Sequence, residues 1–196
     1  MRTAYNLLLF LIIALALSTL FFKKGEGFTA SGVTGLKYYT VDSNILCAVS
    51  CLCCVLGGDL HWIAVLRFAG TVAVLVTMLI VIFLLTPAFG IKAMYTGRDI
   101  VLHLAAPLIA VITFCLCEEN IHLEEAAWGA VSVLVYGACY LLNIRKNGIE
   151  DNDWYGFAQY GLKQKLLPLK AFWWVEVLLF TLFAFLLSLG LIAIHP

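Results

Sequence analysis

The chain has 196 residues, 63% of them hydrophobic and only 12% charged, and its twelve basic and twelve acidic side chains give no formal net charge. That much apolar surface cannot be hidden inside a soluble domain of this length, so composition excludes a water-soluble globule and predicts one integral membrane domain over residues 1–196. Zero net charge suggests no polyanionic partner such as nucleic acid, and seven cysteines, an odd number lying mostly in apolar runs, argue against a secreted disulfide framework.

Six apolar runs approach the roughly 20 residues that a spanning helix needs. They are Tyr5–Phe22, Tyr38–Leu56, Trp62–Thr86, Arg98–Cys117, Glu125–Ile144 and Leu169–Ile194. The fold expected is an all-α integral membrane bundle of six transmembrane helices. The first run is closed by Lys23 and Lys24 rather than by a cleavage site, so it reads as a helix and not as a signal peptide. Loops one, three and five with their flanks hold Lys23, Lys24, Lys37, Lys92, Arg98, Arg145, Lys146, Lys163, Lys165 and Lys170, whereas the opposite side holds only Arg2. This bias predicts that loops one, three and five are cytoplasmic and both termini outside. The remaining basic residue, Arg67, lies inside the third run and reads as a snorkelling or bundle-tying side chain.

The second run opens on Tyr38-Tyr39-Thr40-Val41-Asp42-Ser43-Asn44. Burying such polar groups costs a few kcal/mol each, roughly, unless they find partners or a task. Thr40, Asn44, Cys47, Cys51 and Cys54 share one helical face, and in the fourth run His103, Ala106, Ala110, Thr113 and Cys117 share another. His103 lies five residues after Arg98, roughly 7–8 Å along its helix, so it reaches the depth of Thr40. Ser132, Tyr136, Tyr140 and Asn143 form a stripe on the fifth run, and Glu176 enters near the start of the sixth. Thr40, Asp42, Asn44, His103, Tyr140, Asn143 and Glu176 are therefore expected to meet in one pocket.

These residue types suit nucleophilic hydrolysis. Thr40 would attack and His103 would take its proton and pass it to the leaving alcohol. Asp42, Glu176 or Asn143 would hold the other ring nitrogen, and Asn44 or Tyr140 would stabilise the oxyanion. Trp154 and Tyr155, in the polar loop after the fifth run, suit an interfacial belt or a lid, with Asp153 as a cap before them. The acidic connection Glu118–Glu125 reads as a solvated loop.

Around these residues the chain resembles a family. "YYTVDSN" is similar to the F-T-x-x-S-N-type opening of the bacterial six-helix membrane proteins of the Pr6Pr family, and "LRFAGTVAVLVTMLIV", "LHLAAPLIAV", "YGACYLLN" and "WYGF" follow in that family's order over Tyr38–Phe157. That group resembles the androgen-induced and androgen-dependent TFPI-regulating proteins of animals. These are membrane threonine hydrolases that cleave fatty acid esters of hydroxy fatty acids. The resemblance implies a threonine nucleophile at Thr40 and a histidine base at His103, with Pro107 in the matching proline position. It implies a membrane lipid ester as substrate, and no cofactor. "VDSN" is more polar than the animal motif, and "WYGF" lacks the family's proline.

Two other classes fit parts of the sequence. His61, His122 and His195, with Asp59, Glu118, Glu119, Glu124 and Glu125, offer metal-ligand chemistry on the outer side, though without HExxH-type spacing. Six helices around a polar interior also suit a small transporter or a membrane scaffold. Cys54 and Cys117 lie on the faces of Thr40 and His103, so they could pair or simply pack.

Overall fold

A computed structural model describes residues 1–23, 25, 27–118, 121–149, 152–155 and 173–194. The described chain is nearly all helix. Six helices are long and apolar enough to cross a membrane. They are α1 (Arg2–Phe21), α2 (Tyr39–Leu56), α3 (His61–Phe89), α4 (Arg98–Cys117), α5 (Ala126–Asn147) and α6 (Trp173–Ile194). The start of the sixth predicted run, Leu169 to Phe172, lies outside the described residues, as do Lys24, Glu119, Lys163, Lys165, Lys170 and His195.

Helix α3 is the hub. It packs on α2, α4, α5 and α6, whereas α1 leans on α2 and α4. Burial follows from this: 61% of the spanning window of α3 is buried, against 17% of that of α6. Two apolar clusters fill the bundle. Leu9, Ile13, Cys47, Cys51, Ala106 and Ala110 seal α1 against α2 and α4. Phe68, Val72, Phe114, Val133 and Ala184 join α3 to α4, α5 and α6.

Prolines shape two of these helices. Pro107 has no N–H, and its ring would strike the carbonyl of His103 four residues back. The helix answers with a π turn over Val101–Ala105, in which the Ala106 N–H bonds Val101 O. Pro87 does the same to α3, with a π turn over Val81–Leu85 and the Thr86 N–H on Val81 O. Both swellings fall at the end of the bundle that carries loops one, three and five, called here the basic end. A two-strand hairpin, Phe22–Lys23 with Gly27–Phe28, and a short helix, Ala30–Gly35, fill loop one.

At the opposite, acidic end the polar residues tie the helices together. Arg67 is fully buried. Its Nε donates to Asn6 Oδ1 at 2.7 Å, Nη1 to Thr71 Oγ1 at 2.5 Å, and Nη2 to Thr113 Oγ1 at 3.0 Å and Ala110 O at 3.3 Å. It is thus a bundle-tying residue and does not snorkel. Glu118 corrects the expectation of a solvated loop: it is buried, paired with Arg2 at 2.8 Å, and accepts from Asn6 Nδ2 at 3.3 Å. Its carboxylate is drawn inward because two arginines lie at this end of the bundle. All seven cysteines are free, and Cys54 donates to Glu118 Oε1 at 3.8 Å rather than pairing with Cys117.

Candidate active site

Helix α2 begins at Tyr39, after Tyr38 in extended backbone. Its first-turn N–H groups have no intrahelical acceptors. The Tyr39 N–H donates to the Tyr155 hydroxyl at 2.9 Å, and the Val41 and Asp42 N–H groups donate to Tyr38 O at 3.0 and 3.3 Å. Burial pushes the Tyr155 phenol well above its ordinary range, so it serves as a neutral acceptor. The N–H of Thr40 has no partner among the described residues.

Thr40 Oγ1 lies 3.4 Å from His103 Nε2. The other ring nitrogen, Nδ1, is 2.6 Å from the carbonyl oxygen of Met94. A carbonyl can only accept, so Nδ1 carries a proton, and the tautomer this contact selects is the one whose Nε2 lone pair points towards the threonine hydroxyl. Sequence reasoning gave this holding role to Asp42, Glu176 or Asn143, and none of the three takes it. Loop three turns through Gly90 (φ 92°) into the short helix Ile91–Met94, then leaves through Gly97 (φ 62°). Those left-handed conformations favour glycine and let the loop fold back to offer the Met94 carbonyl. A backbone acceptor nine residues before His103 carries no side-chain signature, but the two flanking glycines were readable.

Asn44, one turn beyond Thr40, is fully buried. Its Nδ2 donates to Thr40 O at 2.8 Å and to Leu102 O at 3.2 Å. The second bond follows from Pro107. In the π register Leu102 O would need the N–H of residue 107, which proline lacks, so Asn44 takes the orphaned carbonyl. With both donors engaged, Asn44 has none left for an oxyanion, and its Oδ1 has no partner in the described structure.

Two cavities meet at Thr40. A narrow slot of about 80 Å³ runs between α2, α3, α5 and α6 and is lined by Thr40, Val81, Tyr136, Tyr140, Tyr155 and Glu176 among others. A wider vestibule of about 650 Å³ is lined by Thr40, His103, Met94, Arg98, Asp99 and Trp154 among others. Thr40, Leu85 and Tyr155 belong to both linings, so they form the partition. The single pocket expected from sequence is therefore divided. Asp42 lines neither cavity, since its helical position turns it away from α4, and it is half-buried. Asn143 also lines neither. It donates to Asn152 Oδ1 at 3.0 Å and helps to fold the loop after α5.

That loop closes the basic end with aromatic rings. Trp154 Nε1 donates to Tyr136 Oη at 3.2 Å, Tyr136 donates to Lys37 O at 2.6 Å, and Tyr140 donates to Asp153. Tyr140 is thus not a free oxyanion donor, and the continuation past Tyr155 lies outside the described residues. The Trp154 ring packs edge-on to Tyr140 at 4.9 Å and lies under Lys37 Nζ at 5.6 Å.

The histidines described at the acidic end, His61 and His122, form no metal centre. His61 Nε2 meets Glu125 Oε1 at 2.5 Å and the His61 and His122 rings are 6.1 Å apart, but among the described residues no group of three or more His, Cys, Asp or Glu side chains is placed to hold a metal ion. The class defined by fold and site is a six-helix apolar bundle in which a half-buried threonine, on the partition between two cavities, faces a buried histidine. Compared with known proteins, the chain matches no family model, no curated protein and no solved structure.

Proposed function

We propose that this chain is a multi-pass membrane hydrolase that cleaves a lipid-like ester, of the class of fatty acid esters of hydroxy fatty acids, with Thr40 as nucleophile and His103 as base. One observation carries this: Thr40 Oγ1 faces the Nε2 of a histidine whose Nδ1 proton is fixed on the Met94 carbonyl. The family proposed is the Pr6Pr group. The site's setting is the bacterial plasma membrane, with loops one, three and five in the cytoplasm.

In this mechanism Thr40 Oγ1 attacks the ester carbonyl carbon as His103 Nε2 takes the hydroxyl proton. The separation of 3.4 Å is long for that transfer, and such contacts tighten when substrate closes the site. The tetrahedral oxyanion would lie by the unpartnered N–H of Thr40, at the positive end of α2. Collapse breaks the ester C–O bond, and imidazolium returns its proton to the leaving alkoxide. Water entering from the vestibule then gives a proton to His103 as its oxygen bonds the acyl carbon; the acyl–Oγ1 bond breaks, and His103 returns that proton to Thr40 Oγ1, which frees the threonine hydroxyl and a carboxylic acid. The slot takes one end of the ester, and the vestibule suits the remainder and the attacking water.

The test is labelling of the purified protein by a fluorophosphonate probe, alongside turnover of a lipid ester. A hydrolase is labelled at Thr40 and loses both signals in Thr40→Ala. A transporter or scaffold shows neither in the unmodified chain, and that result would end this proposal.

A further inference from the structure

Glu176 is the anomaly of the slot. It is only 6% exposed, it lines the cavity, and among the described residues it has no hydrogen-bond partner. Among the described residues no lysine, arginine or histidine belongs to the slot lining. A lone buried carboxyl group is costly, so a cavity that keeps one calls for a complementary charge or donor. Its surroundings specify which. Tyr136 and Tyr140 stack at 6.3 Å between centroids, Tyr140 and Tyr155 lie at 6.0 Å, and Phe180 is a further aromatic wall. Asp153, which accepts the Tyr140 hydroxyl, adds a second carboxyl near Glu176. Aromatic faces combined with carboxyl groups form a recognition site for ammonium.

We infer that the slot binds an ammonium group, held by Glu176 among the rings of Tyr136, Tyr140 and Tyr155. The size supports a small occupant, since about 80 Å³ holds roughly five to eight water-sized groups at about 10–15 Å³ each. This rests on the hydrolase proposal in one respect, the ester chemistry at Thr40, and changes the substrate: with Thr40 in the same wall, the lipid-like ester carries a short, ammonium-tipped segment in the slot, which a fatty acid ester of a hydroxy fatty acid lacks. The binding itself needs no chemistry at Thr40.

The experiment is isothermal titration of the full chain in uncharged maltoside detergent with hexylammonium, hexyltrimethylammonium, hexanol and hexanoate. The two cations bind at least ten-fold more tightly than the alcohol or the acid. Glu176→Gln abolishes that preference, while Glu176→Asp, which keeps the charge, retains part of it and shows that the loss is not misfolding. Equal binding of hexanol and hexylammonium, or an unchanged preference in Glu176→Gln, overturns the assignment. Displacement by an ethanolamine-headed lysolipid assigns the ammonium to a lipid headgroup, and displacement only by short ω-aminoacyl esters assigns it to the acyl part. Amine preference without Thr40 labelling would sink the hydrolase and leave the ammonium site standing. Labelling without amine preference would do the reverse.

Discussion

The Met94 carbonyl does for His103 what a carboxylate does in a serine-type triad, with one difference. A carbonyl orients the ring and fixes the tautomer, but it offers an imidazolium a dipole rather than a full charge. The proposed base is therefore placed by the fold of a loop. Replacing His103 with Gln keeps a polar side chain of similar reach and removes the base. The expected outcome is a loss of Thr40 labelling by about 10²–10⁴-fold with the melting temperature little changed, read by probe labelling beside a thermal melt. Asn44 is the opposite kind of residue. Asn44→Ala strands the Leu102 carbonyl inside the bundle, which costs about 1–3 kcal/mol. A lowered melting temperature should precede any loss of labelling in the protein that remains folded.

At the scale of the element, the device is a proline four residues after the residue it displaces. His103 and Pro107 stand in that relation in α4, and Phe83 and Pro87 in α3. Pro107→Ala restores a backbone N–H and removes the steric reason for the π turn. Thermal stability should hold or rise, while labelling of Thr40 falls at least ten-fold because His103 no longer sits in a widened turn. A fall in stability without loss of labelling would mean that the turn is held by tertiary packing instead. The six helices were legible because hydrophobic runs of spanning length leave few alternatives, and the register of Thr40 against His103 followed from counting residues into each helix. The partition of the site was not legible. Leu85 and Tyr155 reach Thr40 through a π turn and a folded-back loop, and neither has a periodicity to read. Glu118 was misjudged for a related reason: an acidic run beside a loop looks solvated until Arg2 and Asn6 arrive from another helix.

Across the whole molecule the two ends of the bundle divide the work. The acidic end carries a buried guanidinium whose four hydrogen bonds all go to neutral acceptors, with the Glu118 carboxylate one residue further on through Asn6. Glu118→Gln removes the anion that balances Arg67 and Arg2. Breaking such a buried set costs about 3–5 kcal/mol, so this substitution should lower the melting temperature more than any change in the exposed loops. The fraction that stays folded should still label at Thr40, because the site lies at the other end.

The same division sets an orientation that can be measured. The basic end holds the vestibule and Arg98, and the acidic end holds Asp59, whose side chain is 96% exposed. Positive residues stay on the cytoplasmic side of a membrane, so the vestibule should open inward and Asp59 should face out. In intact cells an impermeant maleimide should label Asp59→Cys at once, and Lys92→Cys only after permeabilisation, each read above the background of the seven native thiols. The reverse pattern would place the vestibule outside. The water that releases the acyl group would then come from the extracytoplasmic side, and the ester substrate would be drawn from the outer leaflet.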